Sequence, residues 1–84
     1  MIALNRAVAV AEVDGPEAGL VLIDGLADDL AGYYLLHAAR ADLLRRAGRA
    51  AEAADGYRRA RALAPTAAER AFLARRLDEV AGAA

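Results

Sequence analysis

The sequence predicts an all-α domain of about five helices, folded as two helical hairpins and a closing helix. Three observations predict it. Apolar residues recur at helical spacing along most of the 84 residues. No alternating run of β-branched or aromatic residues occurs, so no strand is expected. The chain also nearly repeats itself, with a period close to 34 residues. In the second copy Gly48, Ala53, Tyr57, Ala60 and Pro65 follow an apolar-periodic run from Tyr33 to Leu44. In the first, Gly15, Ala18, Leu22 and Gly25 follow the run from Leu4 to Val13. Ala18 to Ala53, Leu22 to Tyr57 and Gly25 to Ala60 are each 35 apart, and Gly15 to Gly48 is 33 apart. A small residue, a bulky one four later and a small one three later let two antiparallel helices approach closely.

The first helix spans about Ile2 to Val13, with Leu4, Ala7, Val8 and Ala11 on one stripe. Ile2, Val10 and Val13 lie off that stripe, so this helix is expected to have neighbours on more than one side. Asp14-Gly15-Pro16 breaks it, and Pro16 suits the first position of the next helix because its missing N–H costs nothing there. The second helix, to about Leu26, is expected to bury Ala18, Val21 or Leu22, and Gly25. Asp28, Asp29 and Gly32 mark a loop in which Leu30 is apolar. The third helix, about Gly32 to Ala47, is led by Tyr33 and Tyr34 and stops at Gly48, a natural left-handed cap. Along it Leu36, Ala39 or Arg40, Leu43 and Leu44 fall at helical spacing. The fourth runs from about Ala50 to Ala64 and ends before Pro65. Thr66 and Glu69 form a capping-box pattern that opens the fifth, in which Phe72, Leu73, Leu77 and Val80 are expected to be buried.

The run Gly48 to Pro65 reads G-x4-A-x3-Y-x2-A-x4-P, the signature of the tetratricopeptide repeat, a helical hairpin that stacks. One domain is expected over residues 1–84, with repeat one at about 2–27, repeat two at about 33–64 and a capping helix at about 67–81. In that register Leu4, Val8, Ala41 and Leu44 pack the first helix of each hairpin. Arg40 departs from the pattern, which prefers Leu there. Such scaffolds bind extended peptides in a groove lined by those first helices. The register gives Ile2, Asn5, Ala9 and Glu12 from repeat one, and Leu35, Ala38, Asp42, Arg45 and Arg46 from repeat two. Asn5 and Arg46 are suited to hydrogen-bond a peptide backbone or carboxylate. The paired Lys and Asn of carboxylate-clamp repeats are not all present, so a chaperone-tail clamp is not expected.

Composition argues against catalysis. The chain has 25 Ala and one His, and it lacks Cys, Ser, Gln and Lys. Thr66 and the tyrosines are the remaining hydroxyl nucleophiles, and Thr66 is better used as a cap. No pair of carboxylates falls on a conspicuously apolar face. The expectation is a non-enzyme without metal or cofactor. His37 occupies a packing position and has no partner ligand at suitable spacing. Asp28 and Asp29 lack the alternating oxygen ligands of a calcium loop and read as loop and cap residues. Of Tyr33 and Tyr34, one is expected to pack between repeats and the other to be partly exposed. Arg45, Arg46, Arg49, Arg58, Arg59 and Arg61 have no aromatic among them and stand beside Asp42, Glu52 and Asp55, so a solvated, partly paired face is expected rather than a nucleic-acid patch. Net charge is −1, but residues 1–39 sum to −5 and residues 40–84 to +4. That asymmetry reads as ordinary solvated faces, or as a device that orients a partner or a second copy. No apolar run is long enough for a membrane span and no signal-peptide pattern opens the chain, so a cytoplasmic location is expected.

Leu4-Asn5-Arg6-Ala7-Val8-Ala9-Val10-Ala11 and the run from Leu30 to Arg46 are more specific than a generic repeat. With Gly56-Tyr57-Arg58-Arg59-Ala60 and Glu69-Arg70-Ala71-Phe72-Leu73, they resemble the tetratricopeptide-like C-terminal extension of bacterial extracytoplasmic-function RNA polymerase sigma factors. The resemblance covers roughly Leu4 to Leu77. It implies control of transcription initiation through protein contacts, with upstream sigma regions or RNA polymerase as partner, and no DNA reading by this segment. The chain opens inside a helix and holds two repeats where about three bury a continuous core, so it is expected to be the end of a longer protein or a short gene product. Two alternatives stand beside this: a structural repeat segment that mediates self-association in an unrelated scaffold, and the end cap of an unrelated helical-repeat enzyme or signalling protein. Apolar Ile2, Val10 and Val13 lead to an expected homodimer of the isolated segment.

Overall fold

Gly15 separates the first two helices by a single residue. Its φ of 98° is open to glycine and strained for other residues, and Pro16 follows at the start of the next helix. In this computed structural model, which describes residues 2–83 and the side chains of 3–82, five helices follow one another. They are α1 (Ile2–Asp14), α2 (Pro16–Leu26), α3 (Tyr34–Arg46), α4 (Ala50–Leu63) and α5 (Ala67–Ala83). No strand occurs among the described residues. The fold is all-α.

The other helix ends also follow from local chemistry. At the end of α3, Gly48 takes φ 81°. Its N–H donates to the Arg45 carbonyl at 3.1 Å, and the Arg49 N–H donates to the Leu44 carbonyl at 2.9 Å. These two bonds satisfy carbonyls that the helix end would leave orphaned. Before α5 the Glu69 N–H donates to Thr66 Oγ1 at 3.1 Å. The reciprocal bond differs from a full capping box: the Thr66 hydroxyl donates to the Glu69 carboxylate at 2.6 Å, not the Thr66 backbone N–H. Between α2 and α3 the chain keeps turning, with Leu30 half-buried and its N–H on the Leu26 carbonyl. Tyr33 and Tyr34 are both half-buried, edge to face with ring centres 6.1 Å apart, so the expected division between them does not occur.

α1 turns back on α2, and α3 on α4; α2 lies on α3, and α5 closes the far side of α4. The body measures 28 × 27 × 18 Å, about two helix diameters thick. Leu4, Ala7 and Ala11 of α1, Leu20 and Ile23 of α2, and Leu36, Ala41, Leu43 and Leu44 of α3 form one core. Ala53, Tyr57 and Ala60 of α4 and Leu73, Leu77 and Val80 of α5 complete it.

Hairpin one sits one residue away from the sequence register. Ile23 is fully buried while Leu22 is 39% exposed; Gly19 is buried while Ala18 is half-buried, and Gly25 is exposed. A Cβ on Gly19 would stand 2.7 Å from the Ala11 Cβ and 2.9 Å from the Ala7 carbonyl oxygen, so Gly19 is the point of closest approach. Gly19, Ile23 and Leu26 pair with Ala53, Tyr57 and Ala60 at a uniform spacing of 34. Four consecutive apolar residues, Leu20 to Ile23, make the stripe ambiguous on sequence. The short Gly15 turn, against three residues from Ala47 to Arg49, shifts any alignment anchored on the turn glycines.

Other packing expectations move outward too. Val8 is 38% exposed because Ala7 takes the buried place. Phe72 is 47% exposed because Leu73 turns inward in its stead. Gly48 and Pro65 are exposed, so they act through the backbone as cap and helix stop.

Candidate protein-interaction groove

One face of α1, one of α3 and the start of α5 enclose a groove of about 380 Å³. Its apolar wall consists of Val8, Leu35 and Phe72, each more than a third exposed. Helical phase places them there. Val8 lies one position past the buried Ala7, and Leu35 one before the buried Leu36. Phe72 likewise precedes the buried Leu73. Asn5 and Arg76 supply the polar rim. The Arg76 guanidinium carbon stands 5.3 Å from the Phe72 ring centre, a cation–π contact, and one of its nitrogens lies 3.1 Å from the Glu79 carboxylate. The Arg76 side chain thereby packs on the Phe72 ring.

At the floor, Asp42 is the hub. The Arg45 guanidinium donates to its Oδ1 at 2.6 Å, Arg46 lies 3.3 Å from its Oδ2, and the Tyr57 hydroxyl reaches Oδ1 at 3.4 Å. The hydrogen bond that Arg45 donates to Asp42, reinforced by the Tyr57 hydroxyl, raises the Arg45 pKa above its ordinary value. Arg46 is raised chiefly by its bond to Glu12, at 2.8 Å across the two hairpins. Burial pushes the Tyr57 phenol above its usual value of 10.0, with the Asp42 charge adding to the rise and Arg45 opposing it.

The structure gathers four of the expected groove residues at this site: Asn5, Leu35, Ala38 and Asp42. Arg45 and Arg46 are engaged with Asp42, and Glu12 with Arg46, so these three brace the floor instead of lining it. Ala9 is exposed outside the groove. Ile2 lies outside the described side chains. Val8, Phe72 and Arg76 were not among the expected groove residues. The sequence stripes place Val8 and Phe72 in the core, and the Phe72/Arg76 spacing of four on α5 is the signal that marks those two as surface neighbours.

A second hollow, of about 670 Å³, lies between α3 and α4 and is lined by charge: Arg40, Glu52, Asp55, Arg58 and Arg59, with His37 and Gly56. Most of its charges are paired, Arg58 and Asp55 with each other and Arg40 and Glu52 with residues beside the hollow. Arg40 pairs with Asp24 at 3.0 Å, Arg49 with Glu52 at 2.9 Å and Arg58 with Asp55 at 2.8 Å. The Arg49 bond holds the Glu52 carboxyl below its ordinary value. His37 is buried, and its Nε2 lies 2.6 Å from the Ala31 carbonyl oxygen, pinning the loop between α2 and α3. No cluster of three or more metal-ligating side chains occurs among the described residues. No helix among them is long and apolar enough to cross a membrane.

The chain is similar to an uncharacterized protein of Rhizobium meliloti (strain 1021), 44% identical over 81 residues. The match covers 96% of this chain and 19% of that protein, so the chain spans about a fifth of its relative's length. No protein-family profile and no solved structure matches it.

Proposed function

We propose that this chain is a non-catalytic tetratricopeptide-like interaction module, the regulatory C-terminal extension of a bacterial sigma factor, which modulates transcription initiation in the cytoplasm. It acts through protein contact with the sigma regions or with RNA polymerase. The observation that carries the reading is the groove: Val8, Leu35 and Phe72 offer an apolar strip, while Asn5 and Arg76 remain on its rim to fix a polar backbone. An apolar patch edged by polar groups is the usual form of a recognition surface. The uniform 34-residue equivalence of the hairpins and the motif resemblance over Leu4 to Leu77 support the family assignment. The match to a fifth of a longer protein supports a module that works beside other domains.

The test is a pull-down of RNA polymerase and of the separated sigma regions on the immobilised chain. Leu35→Asp and Phe72→Glu serve as groove variants; both positions are exposed enough to change without emptying the core. The expected outcome is retention of one of these partners by the wild type and its loss with both variants. Equal retention by the variants, or none by the wild type, overturns the reading.

A further inference from the structure

The 34-residue relation gives each surface of hairpin one a counterpart on hairpin two whose neighbour is known. On α3, Arg40 donates to Asp24 of α2 at 3.0 Å, and the Leu43 side chain stands 2.9 Å from where a Cβ on Gly19 would lie. These contacts fix where α2 rests on α3. The counterparts on α1 are Arg6 for Arg40, Ala9 for Leu43 and Val13 for Ala47, each 34 residues earlier. Leu43 is buried and Arg40 and Ala47 are half-buried beneath that junction, whereas Arg6, Ala9 and Val13 are exposed, Val13 to 83%. Arg6 makes no ion pair among the described residues. Beside this strip, Ala3, Arg6, Leu22 and Leu26 line a hollow of about 410 Å³.

We propose that this face of α1 is a docking seat for one amphipathic helix from outside these 84 residues. That helix carries two apolar residues three apart and a carboxylate directly after the second, the pattern of Leu20, Ile23 and Asp24 in α2. Its carboxylate pairs with Arg6 as Asp24 pairs with Arg40, and its apolar residues cover Ala9 and Val13. The seat continues the α2–α3 interface one repeat outward, and its lone positive charge selects an acidic edge. In the Rhizobium meliloti relative, about four fifths of the polypeptide lies outside the matched segment, ample length for such a helix. A second copy fits less well. The exposed side of α5, at the other end of the stack, sets Arg70 and Arg75 against Asp78 and Glu79, so it offers no acidic edge to Arg6, and its one large exposed apolar residue, Phe72, faces the groove.

The inference goes beyond the groove reading and does not depend on it. The probe is a synthetic peptide of residues 16–30 of this chain, which carries Leu20, Ile23 and Asp24. It is titrated into the isotopically labelled protein and followed by amide chemical shifts. Shifts are expected to concentrate at Ala3, Arg6, Ala9 and Val13. Arg6→Glu, an exposed position whose change leaves the melting transition in place, is expected to weaken binding at least about fivefold. An Asp24→Arg peptide is expected to restore binding to the Arg6→Glu protein. No shift at about 1 mM peptide, shifts confined to Leu35 and Phe72, or failure of the charge swap overturns the proposal. So does concentration-dependent shifting of this face in the protein alone, which assigns the seat to a second copy.

Discussion

Hairpin α1/α2 is tightest near its turn, where Gly19 meets Ala7 and Ala11; hairpin α3/α4 is tightest farther out, where a Cβ on Gly56 would stand 2.9 Å from that of Ala41. The counterparts trade places. Ala53 stands where hairpin one has Gly19, and Leu22 stands where hairpin two has Gly56. Leu22 cannot enter the seam that glycine opens for α4, so it is turned to the surface and lines the hollow beside Arg6. The core counterparts differ in size as well: Ile23 fills hairpin one where Tyr57 fills hairpin two. Hairpin two is covered by α2 on one side and α5 on the other, and hairpin one is covered on one side. A shared plan thus yields a central unit that carries the core and a terminal unit that carries open surface.

The largest expected effect comes from emptying the central unit. Tyr57→Ala removes a buried ring that also holds Asp42, and a loss of about 3–5 kcal/mol is expected, enough to unfold much of a domain this small. Ile23→Ala in hairpin one should cost about 2–4 kcal/mol and leave a measurable two-state transition. Urea unfolding of both variants checks the order. If Ile23→Ala proves the more damaging, the core is not centred on hairpin two.

Next come the helix seams. Ala53→Leu and Ala60→Leu force bulk into fully buried positions, at about 1–3 kcal/mol each, while Ala62→Leu lies on the exposed side of α4 and should be near neutral. Gly19→Ala and Gly25→Ala sharpen the register. The first drives a Cβ against backbone and should destabilise; the second meets nothing within 4 Å and should stabilise by about 0.5–1 kcal/mol through helix propensity. Thermal melts moving in the same direction for both would return hairpin one to the one-residue-shifted register.

Much of this was legible in the sequence, for reasons that particular residues make plain. Helix number and ends were carried by Gly15, Pro16, Gly48, Pro65 and Thr66, whose effects are local and survive any tertiary arrangement. The stripe of α4 was legible because Ala53, Tyr57 and Ala60 are set apart by charged neighbours. That of α2 was not, since Leu20 to Ile23 offers apolar residues at four successive angles and only Ala7 and Ala11 on the facing helix decide among them. The groove was half legible. Asn5, Leu35, Ala38 and Asp42 follow from helical phase, but Val8 reads as core beside the smaller Ala7 that takes the buried place, and Phe72 reads inward because α5 carries two adjacent large apolar residues, Phe72 and Leu73, and packing on α4 selects the second. The opposed charge of the two halves was visible as a sum, and its use was not. Glu12–Arg46, Glu17–Arg49 and Asp24–Arg40 fasten hairpin one to hairpin two within the molecule.

The Tyr57 phenol gives the comparison a pH dependence. Its folded pKa lies above its ordinary 10.0 because burial opposes the phenolate. A group whose pKa is raised by folding contributes its stability in full below the unfolded value and loses it as pH climbs towards the folded one. The wild type is therefore expected to lose stability as pH rises beyond about 10, where the unfolded chain ionises first. Tyr57→Phe should flatten that part of the profile, and Ile23→Val should leave it unchanged. An alkaline profile equally steep in Tyr57→Phe would place the titration elsewhere.

The smallest expected effects belong to the charges that join the hairpins. Arg46 grips Glu12 at 2.8 Å and also reaches Asp42 at 3.3 Å, whereas Arg49 reaches Glu17 at 3.4 Å and is held more closely by Glu52 at 2.9 Å. All these carboxylates are at least partly solvated, so each pair contributes little and is screened by salt. Geometry ranks them. Glu12→Gln removes the shorter contact and leaves Arg46 with Asp42, where Arg45 already competes for the same carboxylate. Glu17→Gln leaves Arg49 fully engaged with Glu52. Glu12→Gln should therefore lower stability by a few tenths of a kcal/mol at low salt, and Glu17→Gln by less. Both differences should shrink as the ionic strength is raised towards 1 M, where the screening length falls to about 3 Å. Denaturant titrations at two salt concentrations check this. A Glu17→Gln loss that exceeds that of Glu12→Gln, or one that persists at high salt, would mean that hairpin one is fastened at its turn instead of along α1.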